Sequence, residues 1–313
     1  MPTNLPFRVG EEIAAILSSG GAVVALESTI FSSLGLPAPH NRTALDQCLA
    51  AVSANGATAA VTAVIDGTAV VGLTDEETDR VLEGSRKTSA RDLGVAIGQG
   101  WDIGVTTVAA SVVLAARAGI AVFATGGIGG VHRGAETSGD VSADLEAIGR
   151  VPVVTVTAGA KAFLDLARTL EFLDTIGVPV LGLGTDEFPA FYSRSSGVPV
   201  PHRVESAAEI AAIVSGSRGL GYDGGVIVAN PIPADAEIPA AEIEPFIARA
   251  VSDAHDAGIS GPAVTPFILE ALSVATEGRS IPANMALAEA NAAVAAQIAV
   301  HLVEKLVAGT STA

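Results

Sequence analysis

The chain has 313 residues, enough for one large α/β domain or two modest ones. Its 34 acidic residues against 17 basic ones give a net charge of −17, which excludes non-specific nucleic-acid binding, because that depends on lysine and arginine neutralising phosphates. An apolar share of 49% and a mean hydropathy of +0.50 raise a membrane protein as the rival, but the longest apolar stretch, 281–308, is interrupted by Glu289, Asn291, Gln297, His301, Glu304 and Lys305, so no membrane span is expected.

The first residues, MPTNLPFRVGEEIAAIL, place acids ahead of a short apolar run without a basic region. They do not read as a signal peptide, and a cytoplasmic location is expected. Short apolar runs rich in Val, Ala and Ile at 22–26, 60–65, 69–73, 120–124, 151–156, 178–183 and 225–229 predict strands. Asp66-Gly67 between the second and third is a hairpin signal, so the sheet is expected to be mixed, mostly parallel. Helical periodicity covers 42–54, 106–118, 142–149, 161–176, 207–214, 240–257, 265–276 and 284–307, the last of these closing an almost wholly helical C-terminal region. The alternation implies a sheet with helices on both faces. No linker, charge run or repeat divides the chain, and 1–313 is taken as a single domain. In such folds ligands gather at the carboxyl ends of the strands, so the residues that follow each strand matter most.

Glu27 follows the first of these strands in ALEST, where a carboxylate suits either general acid–base work or a hydrogen-bonded turn. Lys161 lies in AGAK after the strand VPVVTV, and apolar surroundings should lower the pKa of its amine. A neutral amine attacks an aldehyde carbon to give an imine; the alternative is a helix-start lysine whose head reaches water. At a helix start its charge would oppose the helix dipole, which a bound anion or a neutral amine would offset.

The stretch ATGGIGGVHRGAETSGDVSADLEAIG matches neither the dinucleotide nor the P-loop fingerprint. Its glycines allow backbone amides to approach an anion or the chain to turn tightly. Asp140 and Asp144 flank a helix start at Ser142 and suit a hard divalent cation, although helix capping accounts for the same residues. The five histidines are dispersed and show no zinc-like spacing. Lys87 and Arg91 in KTSARD are phosphate contacts or a solvated surface pair. Thr106 and Thr107 open a helix, where amides receive phosphate, or merely cap it. Phe188, Phe191 and Tyr192 crowd an aromatic-poor chain and form a lid, a nucleobase shelf or plain core. Cys48, the only cysteine, is expected to be a buried spectator.

Together ALESTI, AVIDG, KTSARDL, TTVAAS, FATGGIGGVHRGAE with SADL, AGAK, TDEFPAFYSRSSG, GGVIVANPIP and AVTPFIL resemble the pseudouridine-5′-phosphate glycosidase family, from about residue 7 to residue 305. The resemblance implies a three-layer α/β/α fold, a homotrimer, and reversible cleavage of the C1′–C5 bond of pseudouridine 5′-phosphate to uracil and ribose 5-phosphate with a divalent ion, typically Mn²⁺. It implies Glu27 as proton donor, Lys161 as the imine-forming nucleophile and Asp140 as metal ligand. It also implies Lys87, Val108, Ser142, Asp144 and Asn284 as substrate contacts. The chain departs from the commoner pattern at His40, Ala60, Val105 and Thr157, and changes at His40 and Val105 are expected to bear on phosphate or base contacts. The leaving atom in such a reaction is a carbon without a lone pair, so the paired carboxylates of ordinary glycosidases do not suffice and an amine is needed. The rival readings are an aldolase-type Schiff-base lyase on another sugar phosphate and a non-catalytic phosphosugar-binding protein.

Overall fold

The computed structural model describes residues 6–259 and 261–310. Among them thirteen strands are numbered here in chain order: β1 (Phe7–Val9), β2 (Val23–Leu26), β3 (Thr58–Ile65), β4 (Thr68–Val71), β5 (Lys87–Thr88), β6 (Ile103–Thr106), β7 (Val122–Ala124), β8 (Val131–His132), β9 (Val154–Thr157), β10 (Leu164–Asp165), β11 (Val180–Leu183), β12 (His202–Val204) and β13 (Val226–Ala229). Eleven of them form one mixed sheet whose main path runs β1-β4-β3-β2-β7-β9-β13-β11-β12. From β3 through β2, β7, β9, β13 and β11 to β12 every pairing is parallel. The central strands VVAL, VFA, VTVT and VIVA are buried at every position, as required when helices cover both faces.

The helices are α1 (Glu11–Ser18), α2 (His40–Ala54), α3 (Asp75–Leu82), α4 (Leu93–Gly98), α5 (Val108–Ala118), α6 (Ala135–Ser138), α7 (Ala143–Arg150), α8 (Leu166–Thr175), α9 (Ala207–Gly219), α10 (Ala240–Asp256), α11 (Val264–Ala275) and α12 (Ser280–Thr310). The pair α5 and α7 packs on one face of the sheet, and α12 with α2 and α9 on the other. By length and composition α12 is apolar enough to cross a membrane, contrary to the expectation from its interrupting polar residues. In the fold it is an interior helix: Leu287, Ala288, Ala292, Ala295, Ala296 and Ala299 are buried against β2, β7, β9 and the neighbouring helices.

The expected hairpin is present. Asp66 (φ 49°) and Gly67 (φ 71°) make the turn between antiparallel β3 and β4, both in the left-handed region that a two-residue hairpin of matching twist demands. Strand β3 is twice as long as β2, and its overhang also pairs antiparallel with β6, which in turn carries β5. That small extension, absent from the sequence reading, brings Lys87 opposite Val105 and Thr88 opposite Thr106. The other elements not expected are β1, β8, β10, β12 and α1, α3, α4 and α6. Most are a few residues long, so periodicity cannot reveal them. The capping box of α3, in which Thr74 and Glu77 bond each other's amides, was legible as T-x-x-E.

Candidate active site

The register of the parallel strands sets Leu26 opposite Ala124 and Ala124 opposite Val156, so Glu27, Thr125 and Thr157 leave the sheet side by side at its carboxyl edge. From there the segments 125–132 and 158–165 run alongside each other. The Ala158 amide donates to the Gly126 carbonyl (3.0 Å), Ile128 to Gly159 (3.1 Å) and Lys161 to Ile128 (3.0 Å), and the segments end as the antiparallel ribbon of β8 and β10. Lys161 therefore stands in a loop held by backbone hydrogen bonds, not at a helix start as expected. Its helix begins at Leu166, capped by Asp165, which accepts from the Arg168 amide, so the conflict between ammonium and helix dipole does not arise.

The glycine run permits close packing around the cavity. No glycine from Gly126 to Gly130 has positive φ. A Cβ on Gly127 would lie 2.4 Å from the Phe191 ring, one on Gly129 would lie 2.2 Å from Ser142 Oγ and 2.8 Å from Asp144 Oδ2, and one on Gly130 would lie 2.4 Å from Thr169 Oγ1. Gly159, by contrast, needs its left-handed backbone (φ 86°), and a Cβ there would sit 1.9 Å from the Pro189 carbonyl oxygen.

Ser142 caps α7 and accepts from the Asp144 amide (3.2 Å). The buried Asp144 carboxylate accepts the Ala109 amide at 2.9 Å and the Gly129 amide at 2.8 Å. One of these is a first-turn amide of α5 with no intrahelical partner, the other a glycine-loop amide. Each of its oxygens is thus engaged by one backbone amide. Asp140 is the freer carboxylate, with Oδ2 3.7 Å from His132 Nδ1 and a side chain 42% exposed. Among the described residues no three His, Cys, Asp or Glu side chains converge as a metal cage. One open carboxylate beside an imidazole fits a largely hydrated Mg²⁺ or Mn²⁺, which keeps most of its waters, and does not fit a dehydrated all-protein site.

The residues expected to act as catalysts, substrate contacts and metal ligand meet in one cavity of about 210 Å³: Glu27, Lys87, Val108, Asp140, Ser142, Asp144, Lys161 and Asn284 line it. Thr125 Oγ1 donates to Glu27 Oε1. Burial pushes the Glu27 carboxyl above the usual carboxylate range, against the charge of Lys161 and the Thr125 hydrogen bond, which favour ionisation. Burial, helped by the like charge of Lys161, holds the Lys87 ammonium below the usual lysine range. The Thr107 hydroxyl and Asn284 Oδ1 are buried at the cavity wall without a hydrogen-bond partner. A buried polar atom left unpaired costs about 1–3 kcal/mol, so both are placed for a ligand's groups. Thr106, in contrast, ends β6, and its hydroxyl is spent on Ser28 and Thr62.

Arg91 also lines the cavity. Of the aromatic cluster, Phe188 and Tyr192 are core, whereas Phe191 lines the cavity from a left-handed backbone (φ 62°), an unusual state for a bulky residue. His40 is exposed at the start of α2 and Val105 is fully buried in β6; neither lines the cavity, and Val105 bears on it only as the strand partner of Lys87. Cys48 is buried and its thiol is pushed up to about 12, as befits a spectator. Sequence reasoning missed His132, which lines the cavity beside Asp140, and Thr125, whose signal was its place directly after a strand in the same row as Glu27.

Residues 12–301 match the family described as indigoidine synthase A like protein. The chain is 51% identical over 293 residues to a pseudouridine-5′-phosphate glycosidase of Methylobacterium nodulans, covering 93% of this chain and 86% of that one. It is 49% identical to that of Solibacter usitatus, covering 94% and 99%. Its structure is similar to the prealnumycin C-glycosynthase AlnA in complex with ribulose 5-phosphate, with a TM-score of 0.89, 36% identity and coverage of 98% and 100%. An indigoidine synthase A-like protein of Thermotoga maritima gives a TM-score of 0.86 and 34% identity, covering 96% and 97%.

Proposed function

Because the chain belongs to the indigoidine synthase A-like family and is an enzyme of the pseudouridine-5′-phosphate glycosidase kind, we propose that it breaks the C1′–C5 bond through an imine at Lys161, with Glu27 as the proton donor. The observation that supports this reading is a carboxyl group held towards its protonated form by burial, in one cavity with two lysines, at the carboxyl edge of a parallel sheet.

The free amine of Lys161 bonds to C1′ as the sugar ring opens, and the ring oxygen leaves as a hydroxyl. Glu27 then protonates C5 of the base, using the C5–C6 π electrons. The nitrogen lone pair forms the C1′=N bond as C1′–C5 breaks, and the released electrons restore the C5–C6 double bond of uracil. Water hydrolyses the imine to ribose 5-phosphate and returns the amine. Lys87 and the amide end of α5 at Thr107 and Val108 receive the phosphate, a role supported by the unpartnered Thr107 hydroxyl. Asn284 Oδ1 faces the base, whose N–H groups supply the donor it lacks. Asp140 would hold Mn²⁺ or another divalent ion through one carboxylate, and the ion would supply positive charge and ordered water. The same reading takes 1–313 as a single catalytic domain that assembles as a homotrimer in the cytoplasm, and light scattering on the purified protein tests the assembly.

Borohydride reduction in the presence of ribose 5-phosphate is expected to leave a pentitol-phosphate adduct on Lys161, read by peptide mass spectrometry. An unmodified Lys161 in active protein rejects the imine. Glu27→Gln is expected to trap sugar but release little uracil, and near-normal turnover removes Glu27 as the acid. Failure of uracil to add to ribose 5-phosphate, with trapping intact, favours the aldolase-type reading instead.

A further inference from the structure

The Thr125 hydroxyl has one proton, and it gives that proton to Glu27 Oε1. Glu27 lines the cavity, and its Oε2 makes no hydrogen bond among the described residues. The two carboxyl oxygens are therefore unlike: one already accepts a hydrogen bond from the protein, and the other has none. With the Thr125 hydroxyl donating to Oε1, Oε1 is the carbonyl-type oxygen of the neutral acid and the proton sits on Oε2.

Thr125 is itself held from the opposite layer. Asn291, fully buried on α12, donates through Nδ2 to the carbonyls of Thr125 (2.8 Å) and Gly126 (3.3 Å). Its Oδ1 accepts from Asn230 Nδ2 (2.9 Å), the residue that follows β13. With the amide oxygen engaged by Asn230, the Asn291 orientation is fixed, and both Nδ2 contacts fall on the turn that carries Thr125. The Thr125 amide is also fixed, donating to the Val156 carbonyl at 3.0 Å. A chain of contacts thus runs Asn230–Asn291–Thr125–Glu27 from two elements remote in sequence to the proton donor.

We infer that Thr125 is a positioning residue of the reaction: its hydroxyl selects Oε2 of Glu27 as the oxygen that carries the transferable proton, and Asn291 holds Thr125 in place to do so. The inference rests on Glu27 being the acid. After Oε2 delivers its proton to C5, the carboxylate keeps the Thr125 hydrogen bond on Oε1, so the donor that orients the acid also stabilises its conjugate base. The charged groups facing Glu27 are Lys161, Lys87 and Asp144, and none of them contributes a hydrogen bond to it.

The test compares wild type, Thr125→Val, Thr125→Ser and Asn291→Leu by two readouts: uracil release across pH, and borohydride trapping of ribose 5-phosphate on Lys161. Thr125→Val keeps the shape and loses the donor. It is expected to trap sugar to the wild-type extent while uracil release falls roughly 10- to 100-fold, the worth of a hydrogen bond to a charged group. Loss of the donor disfavours ionised Glu27, so the alkaline limb that follows loss of the acid's proton should move to higher pH. Thr125→Ser should restore both rate and limb, and Asn291→Leu should lower uracil release with less effect on trapping. Thr125→Val with wild-type rate and pH profile overturns the inference. So does a Thr125→Ser variant as slow as Thr125→Val. A wild-type enzyme that never traps sugar rejects the imine reading instead, and a Glu27→Gln variant with near-normal turnover rejects the acid assignment on which this inference depends.

Discussion

The amide of Gly129 donates to Asp144 Oδ2 at 2.8 Å, and the opposite oxygen of the same carboxylate takes the Ala109 amide at 2.9 Å. One buried side chain on α7 thereby ties the glycine loop after β7 to the first turn of α5, the two segments that border the cavity from different parts of the sequence. Neither amide has another partner in a helix or strand, so the carboxylate satisfies both.

That double acceptance predicts the outcome of Asp144→Asn. The amide can accept only on one side, and its NH₂ group faces an N–H on the other. The variant is expected to lose about 1–3 kcal/mol of stability, the cost of a buried donor left unpaired. Urea denaturation followed by circular dichroism measures this; a midpoint equal to that of the wild type rejects the clamp. Gly129→Ala should be at least as damaging, because its Cβ would press on Ser142 and Asp144 together.

Burial of Glu27 sets activity against stability. A carboxyl whose pKa is raised by folding contributes stability that is fully present below its unfolded pKa and is lost as pH rises through its raised folded value. Gln resembles the permanently protonated acid. Glu27→Gln is therefore expected to melt higher than wild type at neutral pH, with the two converging as pH falls below the ordinary carboxylate range. Melting curves from about pH 4, near the ordinary carboxylate value, to about pH 8 decide it, and a gap that widens towards acid contradicts the sign.

Lys87 is the charged group proposed to receive the phosphate, and burial holds its ammonium below the usual lysine range. Lys87→Met is expected to raise KM for ribose 5-phosphate in the synthetic direction roughly 10- to 100-fold, with a smaller change in kcat, as the loss of a charge-assisted contact made equally in ground and transition states. A kcat effect that exceeds the KM effect would instead place Lys87 in the chemistry.

If Asp140 holds the proposed divalent ion through its single carboxylate, binding is expected to be weak and exchangeable. Chelator treatment is expected to abolish turnover and added Mn²⁺ to restore it, while Asp140→Asn shifts the Mn²⁺ activation curve to higher concentration, roughly tenfold or more. Asp144→Asn should leave that curve in place, since its oxygens are held by backbone amides. Electron paramagnetic resonance of Mn²⁺ gives the same comparison without turnover.

The sequence by itself determined the buried strands, because unbroken runs of Val, Ala and Ile are stable only between two helical layers. It likewise determined the Asp66-Gly67 hairpin, since few residues tolerate the left-handed turn, and the placing of Glu27 and Lys161 just after strands. Only the tertiary structure decided that Lys161 sits in a hydrogen-bonded loop, that β5 and β6 extend β3 and carry Lys87 to the cavity, and that Asp144 accepts two backbone amides from distant segments. Periodicity and turn chemistry act over a few residues and can be read along the chain. The pairings of Thr125 with Glu27, 98 residues apart, and of Asn291 with Thr125, 166 apart, depend on strand order and on the path of α12, and no local pattern encodes them.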